Sequence, residues 1–178
     1  TYFIVAHIHY VLFGGSLMGA FAGIYYWFPK MFSRHMNAKL GYVHFWLTLI
    51  SFNVTFFLMH IVGMGGMPRR VANPYAYYEY IEPMLNANKA MTHGAILLGV
   101  TQFLLLGNFF YSMFFGKKAE QNPWEASTLE WTAAPNPPPH GNFGPTLPTV
   151  YRGPYEYSSP EHDSDFLPQN LEVVPSAS

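Results

Sequence analysis

Three long stretches of the chain carry no Asp, Glu, Lys or Arg: Thr1–Phe28, Leu40–Met67 and Ala90–Gly116. Each exceeds the roughly 20 residues that a helix needs to cross the hydrocarbon core of a bilayer. Lipid offers no water to backbone amides, so a spanning segment must satisfy them internally, as a helix does. A buried soluble helix rarely needs such length, and three in succession predict three transmembrane helices.

Past Gly116 the pattern changes. Residues 117–178 hold no Met and all the prolines except Pro29, Pro68, Pro74 and Pro83. They include the run Pro135-Asn136-Pro137-Pro138-Pro139 and repeated Gly–Pro pairs. No helical period survives there, which predicts an extended, surface-lying tail rather than a second domain. The expected fold is all-α transmembrane: three membrane-spanning helices in 1–116, plus an extended Pro-rich C-terminal tail, 117–178. No internal repeat is evident.

The charges between the spans bear on sidedness. Lys30, Arg34 and Lys39 lie between the first two spans, and Lys117-Lys118 follow the third. Arg69, Arg70 and Lys89 lie between the second and third, with Glu79 and Glu82. Counting only Lys and Arg, the balance places the 29–39 connection and the tail on the cytoplasmic side. The start of the first helix and the end of the second then share the opposite side. That brings His7, His9, Arg69 and Arg70 to one membrane level.

Composition narrows the chemistry. Of 178 residues only 11% are charged, against about a quarter in soluble domains, and the formal charge is −1. With no Cys, disulfide frameworks, zinc fingers and thiol nucleophiles are excluded. A near-neutral balance without a basic block argues against nucleic acid as a partner. The chain opens on Thr1 inside an apolar run, with no signal peptide. This predicts a piece of a longer membrane protein.

Five histidines fall in the apolar spans: His7, His9, His44, His60 and His93. An ionisable group at that depth is costly and points to function, although a neutral imidazole can also bond a nearby carbonyl. His44, His60 and His93 stand near span ends, where water or headgroups can satisfy them, and read as structural. His7 and His9 differ. Two residues along a helix is a rotation of about 200°, so the two imidazoles project to nearly opposite faces. They do not chelate one ion comfortably, but they can hold two partners, one on each side. Imidazole is a common axial ligand of haem iron. The small residues nearby, Ala6, Gly14, Gly15, Ser16, Gly19, Ala20, Ala22 and Gly23, admit either a flat macrocycle or a neighbouring helix. Arg69-Arg70 follow Pro68, which ends the second helix. Adjacent guanidiniums at a membrane exit serve either as headgroup anchors or as carboxylate clamps.

The run Thr1-Tyr2-Phe3-Ile4-Val5-Ala6-His7-Ile8-His9-Tyr10-Val11-Leu12, continued by Ala22-Gly23-Ile24-Tyr25-Tyr26-Trp27-Phe28-Pro29-Lys30, resembles the tenth helix of haem–copper oxidase subunit I. Asn53-Val54-Thr55-Phe56-Phe57 is similar to its eleventh helix, and Gly66-Met67-Pro68-Arg69-Arg70 to the paired-arginine motif that follows. Asn122-Pro123-Trp124-Glu125 with Thr128-Leu129-Glu130-Trp131 is similar to the tail of bacterial members. The likeness runs in order from Thr1 to about Trp131.

The resemblance implies that His7 is the proximal ligand of a high-spin haem and His9 an axial ligand of a low-spin haem. Both would be haem A. Arg69 and Arg70 would meet haem propionates, and Tyr2 would approach a haem substituent. It further implies an enzyme of the inner (cytoplasmic) membrane that passes electrons from cytochrome c, or quinol, through haem to a haem–copper centre. There oxygen would be reduced to water with proton translocation, beside oxidase subunits II and III. The ligands of copper B, the second low-spin haem ligand and the proton-channel residues would all lie upstream, so this stretch alone is expected to be inactive. The family's usual Phe between the histidines is Ile8 here, so no aromatic bridge is expected between the haems. Related readings are a nitric oxide reductase catalytic subunit and a membrane haem-binding electron carrier.

Overall fold

The computed structural model describes residues 1–137, 140–160 and 162–172. Residues 138–139, 161 and 173–178, part of the tail expected to run extended, lie outside the described residues. Among the described residues the named elements are all helical, and the only β pairing is two isolated bridges. Three stretches are long and apolar enough to cross a membrane: Tyr2–Phe32, Ala38–Met64 and Glu79–Phe115. The expectation of three membrane-spanning helices is met.

The first span has three parts. Helix α1 (Tyr2–His9) starts on Thr1, whose hydroxyl caps the amide of Phe3. The wider π-helical segment Tyr10–Leu17 follows, and then α2 (Met18–Phe32). The charge pattern gave no sign of the π segment. Its sequence, Tyr-Val-Leu-Phe-Gly-Gly-Ser-Leu, supplies a physical reason: Gly14 and Gly15 have little preference for the α conformation, so the ladder there can widen. Helix α3 (Ala38–Met64) begins on an Asn37 cap that takes the amide of Leu40. Helix α4 (Leu85–Phe115) is preceded by the 3-10 turns Pro74–Ala76 and Glu79–Met84.

The chain divides into two compact units: Thr1–Ile24 with Asn37–Phe114, and Tyr25–Met36 with Phe115–Ser178. In the first unit, α1 lies directly on α3. Ala6 is fully buried, and a methyl group at Gly63 would collide with the backbone of Tyr2 and Phe3. Glycine is therefore what lets these two backbones touch. The amide of Tyr2 donates to the carbonyl of Met67 (3.0 Å). Above this contact Val62, Met67, Ile81 and Met91 form one apolar cluster; Phe52, Phe56 and Leu98 form another, with Tyr10 and Phe13 packed against it.

Helices α3 and α4 meet along a polar seam. His44, Thr48, Ser51 and Thr55 recur at three- and four-residue intervals, which places them on one face, and all four are buried. From α4, Gln102 meets His44 Nε2 (3.2 Å) and donates to Thr48 Oγ1 (3.4 Å) and the Leu98 carbonyl (2.9 Å). Lower down, the amide of Asn108 both accepts from and donates to the backbone of Asn37, each at 3.0 Å, and Ser112 joins it. Small and hydroxyl residues of this kind hold helices together in lipid, where apolar contact gives no driving force. His44 is not satisfied by water or headgroups, as its position near a span end predicted: it is 2% exposed and is met by Gln102.

The second unit joins the end of the first span to the tail. Trp124 Nε1 donates to the Tyr26 carbonyl (2.9 Å) and Trp131 Nε1 to the Tyr26 hydroxyl (2.8 Å). Lys30 Nζ donates to the Ala133 carbonyl (2.6 Å) and stands over the Trp131 ring. Arg34 donates to the Gly116 carbonyl (2.6 Å), while His35 and Ala119 exchange backbone bonds with Lys117 and Ser33. Trp131, Leu167 and Arg152 are buried although this segment has almost no regular structure. Irregular aromatic contacts hold it, and no periodic pattern announces those.

Candidate cofactor site

Helix α1 presents His7 and His9 as its geometry requires. The face formed by Phe3, Ala6, Tyr10 and Phe13 turns to α3. Beside it His9 is half-buried, its ring stacked on Phe56 with centroids 4.4 Å apart and planes 15° from parallel. His7 is exposed, and its imidazole has no hydrogen-bond partner among the described residues.

The tautomer of His9 follows from its contacts. Its Nδ1 lies 2.7 Å from the carbonyl of Val5, one turn earlier. A carbonyl only accepts, so Nδ1 carries the proton and Nε2 keeps its lone pair. An imidazole anchored in this way is prepared for a metal. His60 makes the same bond, from Nδ1 to the Phe56 carbonyl (2.8 Å), and its ring meets Phe3 and Tyr10 edge-on. A carbonyl of its own helix, rather than water or headgroups, meets it, so this bond alone does not distinguish His9 from His60.

Tyr10 and Asn53 are the residues beside the site whose pairing the sequence did not reveal. Tyr10 Oη donates to Asn53 Oδ1 at 2.7 Å, joining the span that carries the histidines to α3. Asn53 falls within a motif quoted above, but no pattern along the chain could pair it with a residue 43 positions away.

Arg69 and Arg70 are exposed, and neither guanidinium has a partner among the described residues. Arg70 has φ of 65°, a left-handed conformation that non-glycine residues seldom adopt and that clusters at functional sites. The Tyr2–Met67 backbone bond brings the arginine loop to the mouth of α1. His7 lies five residues further in, about 7 to 8 Å along the axis, and His9 about 10 Å. The expectation of a single membrane level is thus refined: the arginines flank the entrance and the imidazoles stand deeper. Tyr2 packs on the Val62–Met67 cluster.

These residues fit a pair of haems in two respects. Gly14, Gly15 and Gly19 face open space, where an added methyl group would touch nothing within 4 Å, so a flat group can lie close to the backbone. The lone pair of His9 is oriented, and the arginines are free to take carboxylates. No three His, Cys, Asp or Glu side chains converge among the described residues.

The three apolar helices define a segment able to cross a membrane, with two histidines on the first of them. The family model described as cytochrome c and quinol oxidase polypeptide I matches residues 1–97, and the chain belongs to that family. It is 49% identical to cytochrome c oxidase subunit 1 of Thermostichus vulcanus over 88% of its length, covering 27% of that protein. It is 46% identical to the subunit 1 of Synechocystis, covering 88% of this chain and 27% of the relative. It is also 41% identical to the alternative cytochrome c oxidase subunit 1 of Bradyrhizobium diazoefficiens, covering 96% and 29%. The chain thus spans under a third of the length of these relatives.

Proposed function

We propose that this chain is the C-terminal part of the catalytic subunit of a haem–copper terminal oxidase in the bacterial inner membrane. Its 29–39 connection and tail face the cytoplasm. The observation that supports this best is the pair of oppositely projecting imidazoles on one apolar helix, with two exposed guanidiniums at the helix mouth that have no partner among the described residues.

In this reading His7 holds the high-spin haem and His9 the low-spin haem. When bound, these groups supply one-electron transfer and, beside copper B held by upstream residues, the reduction of oxygen. The chain's own contribution is orientation and charge. Val5 takes the Nδ1 proton of the His9 imidazole in a hydrogen bond, which leaves the Nε2 lone pair for a metal. Helix α1 keeps the two imidazoles about 3 Å apart along its axis on opposite faces, so one rigid post serves two sites. Arg69 and Arg70 take the propionate carboxylates in charge-assisted bonds. Subunits II and III would complete the complex, with cytochrome c or quinol as the donor.

The test is reduced-minus-oxidised spectroscopy of the full-length enzyme, with and without carbon monoxide. Two haems are expected, of which only one binds carbon monoxide, together with oxygen consumption. A single carbon-monoxide-insensitive haem would instead identify an electron carrier. Nitric oxide turnover without oxygen turnover would identify a nitric oxide reductase.

A further inference from the structure

The hydrogen bond between Tyr10 and Asn53 sits next to the histidines without belonging to either. Its polarity is forced. Asn53 Nδ2 donates to the Leu49 carbonyl of its own helix (2.8 Å), so Oδ1 must face Tyr10 and the tyrosine hydroxyl must be the donor. Both ends are held. The Tyr10 ring is confined by Phe52 at 4.7 Å and His60 at 5.2 Å. The Tyr10 amide donates to the carbonyls of Ala6 and His7, so Tyr10 is linked through the backbone to the turn that carries the first histidine.

The position of this bond gives it consequence. Tyr10 is the first residue of the π segment, where the α ladder gives way to a wider and poorer one. Helix rotation is least determined at such a junction. The surrounding contacts, Phe13 on Phe52 and His9 on Phe56, are between faces that can slide. Apolar contact is non-directional, whereas a hydrogen bond to an amide fixed on its own helix is directional.

We infer that the Tyr10–Asn53 bond is a positioning device: it sets the rotation of the histidine-bearing helix against α3, and with it the directions in which His7 and His9 project. This rests on the reading of those histidines as haem ligands. Tyr10 and Asn53 touch no iron and act through the helix.

The test uses Tyr10→Phe and, separately, Asn53→Ala in the full-length assembled enzyme. The readouts are the electron paramagnetic resonance lines of the ferric low-spin haem and the midpoint potentials of both haems. Each variant is expected to keep its full haem content and to shift or broaden the low-spin lines. The double variant should shift them no further than the larger single change, because both substitutions remove one bond. Asn53→Ala leaves the Tyr10 ring in place and so gives an independent measurement if Tyr10→Phe assembles poorly. Unchanged lines and potentials in the variants that assemble overturn the positioning role. His9→Ala separates this from the underlying assignment. If His9→Ala loses the low-spin signal while the tie variants change nothing, only the positioning role falls. If His9→Ala keeps that signal, the ligand assignment falls and the positioning role falls with it.

Discussion

The His9 ring lies face to face with that of Phe56, 4.4 Å away and 15° from parallel, whereas His7, two residues earlier, is exposed and its ring has no hydrogen-bond partner among the described residues. The two histidines should therefore respond differently to truncation. His7→Ala removes an exposed side chain, so the full-length enzyme should lose its carbon-monoxide-binding haem and oxygen turnover, together with only the stability that the haem itself confers. His9→Ala removes the partner of Phe56 as well as a ligand, so the low-spin haem band should go together with about 1 kcal/mol of stability, the scale of an aromatic pair, beyond what loss of the haem itself costs. Optical spectra and melting curves of both variants decide this; a His7 variant with normal turnover would remove it from the site.

Arg70 should tune a haem rather than anchor the chain. Taking a cation away from a propionate makes an added electron less favourable, so Arg70→Ala should lower a haem midpoint potential. For a loss on the order of 1 kcal/mol the shift is about 50 mV. Potentiometric titration measures it, and unchanged potentials would return both arginines to lipid headgroups.

Glycine positions make a graded series. A methyl group at Gly63 meets the backbone of Phe3, which has no way to yield. At Gly94 it meets Thr55 Oγ1 at 2.7 Å and Val54 at 2.9 Å, side chains that can partly adjust. At Gly99 it meets nothing. Gly63→Ala should cost the most, about 1–3 kcal/mol as in an overpacked core; Gly94→Ala should cost less, and Gly99→Ala close to nothing. Thermal denaturation of the three variants reads the order, and a Gly63→Ala cost no larger than that of Gly99→Ala would show that α1 and α3 are not in backbone contact.

The seam between α3 and α4 depends on Gln102. Gln102→Leu leaves the His44 ring nitrogen and the Thr48 hydroxyl without that partner. The expected loss is about 1 kcal/mol, the range of side-chain hydrogen bonds between membrane helices. A double-mutant cycle with His44→Leu should show the two changes to be less than additive.

In the tail, Trp131 is 1% exposed and bonded to Tyr26. Trp131→Ala should cost about 3–5 kcal/mol of local stability, and Tyr26→Phe, which strands the indole N–H, about 1–3 kcal/mol. Limited proteolysis of the assembled enzyme should show faster cleavage beyond Gly116 in the same order.

The parts of the fold and site that could be read in advance are those that lipid and helix period dictate. A bilayer demands long uncharged stretches, so the spans were legible, and a fixed rotation per residue sends His7 and His9 apart in any α-helix. The bond that fixes His9, to Val5 one turn back, is likewise local. What could not be read depends on rotations between helices. Nothing along the chain shows that Gln102 faces His44 or that Tyr10 finds Asn53. The π segment had only the Gly14–Gly15 pair as a hint. The folding of the tail on Tyr26 and Lys30 follows no period at all.

The contacts of Lys30 and Arg34 bear on the order in which the protein is made. Their cationic groups end on the carbonyls of Ala133 and Gly116, residues that leave the ribosome long after the first two spans. In the orientation proposed above, both cations are still available, while those spans are being inserted, to hold their loop back from translocation. Only when synthesis has passed the third span do the two charges acquire these partners, so in that orientation one pair of residues would serve first as a topological signal and later as a fastening.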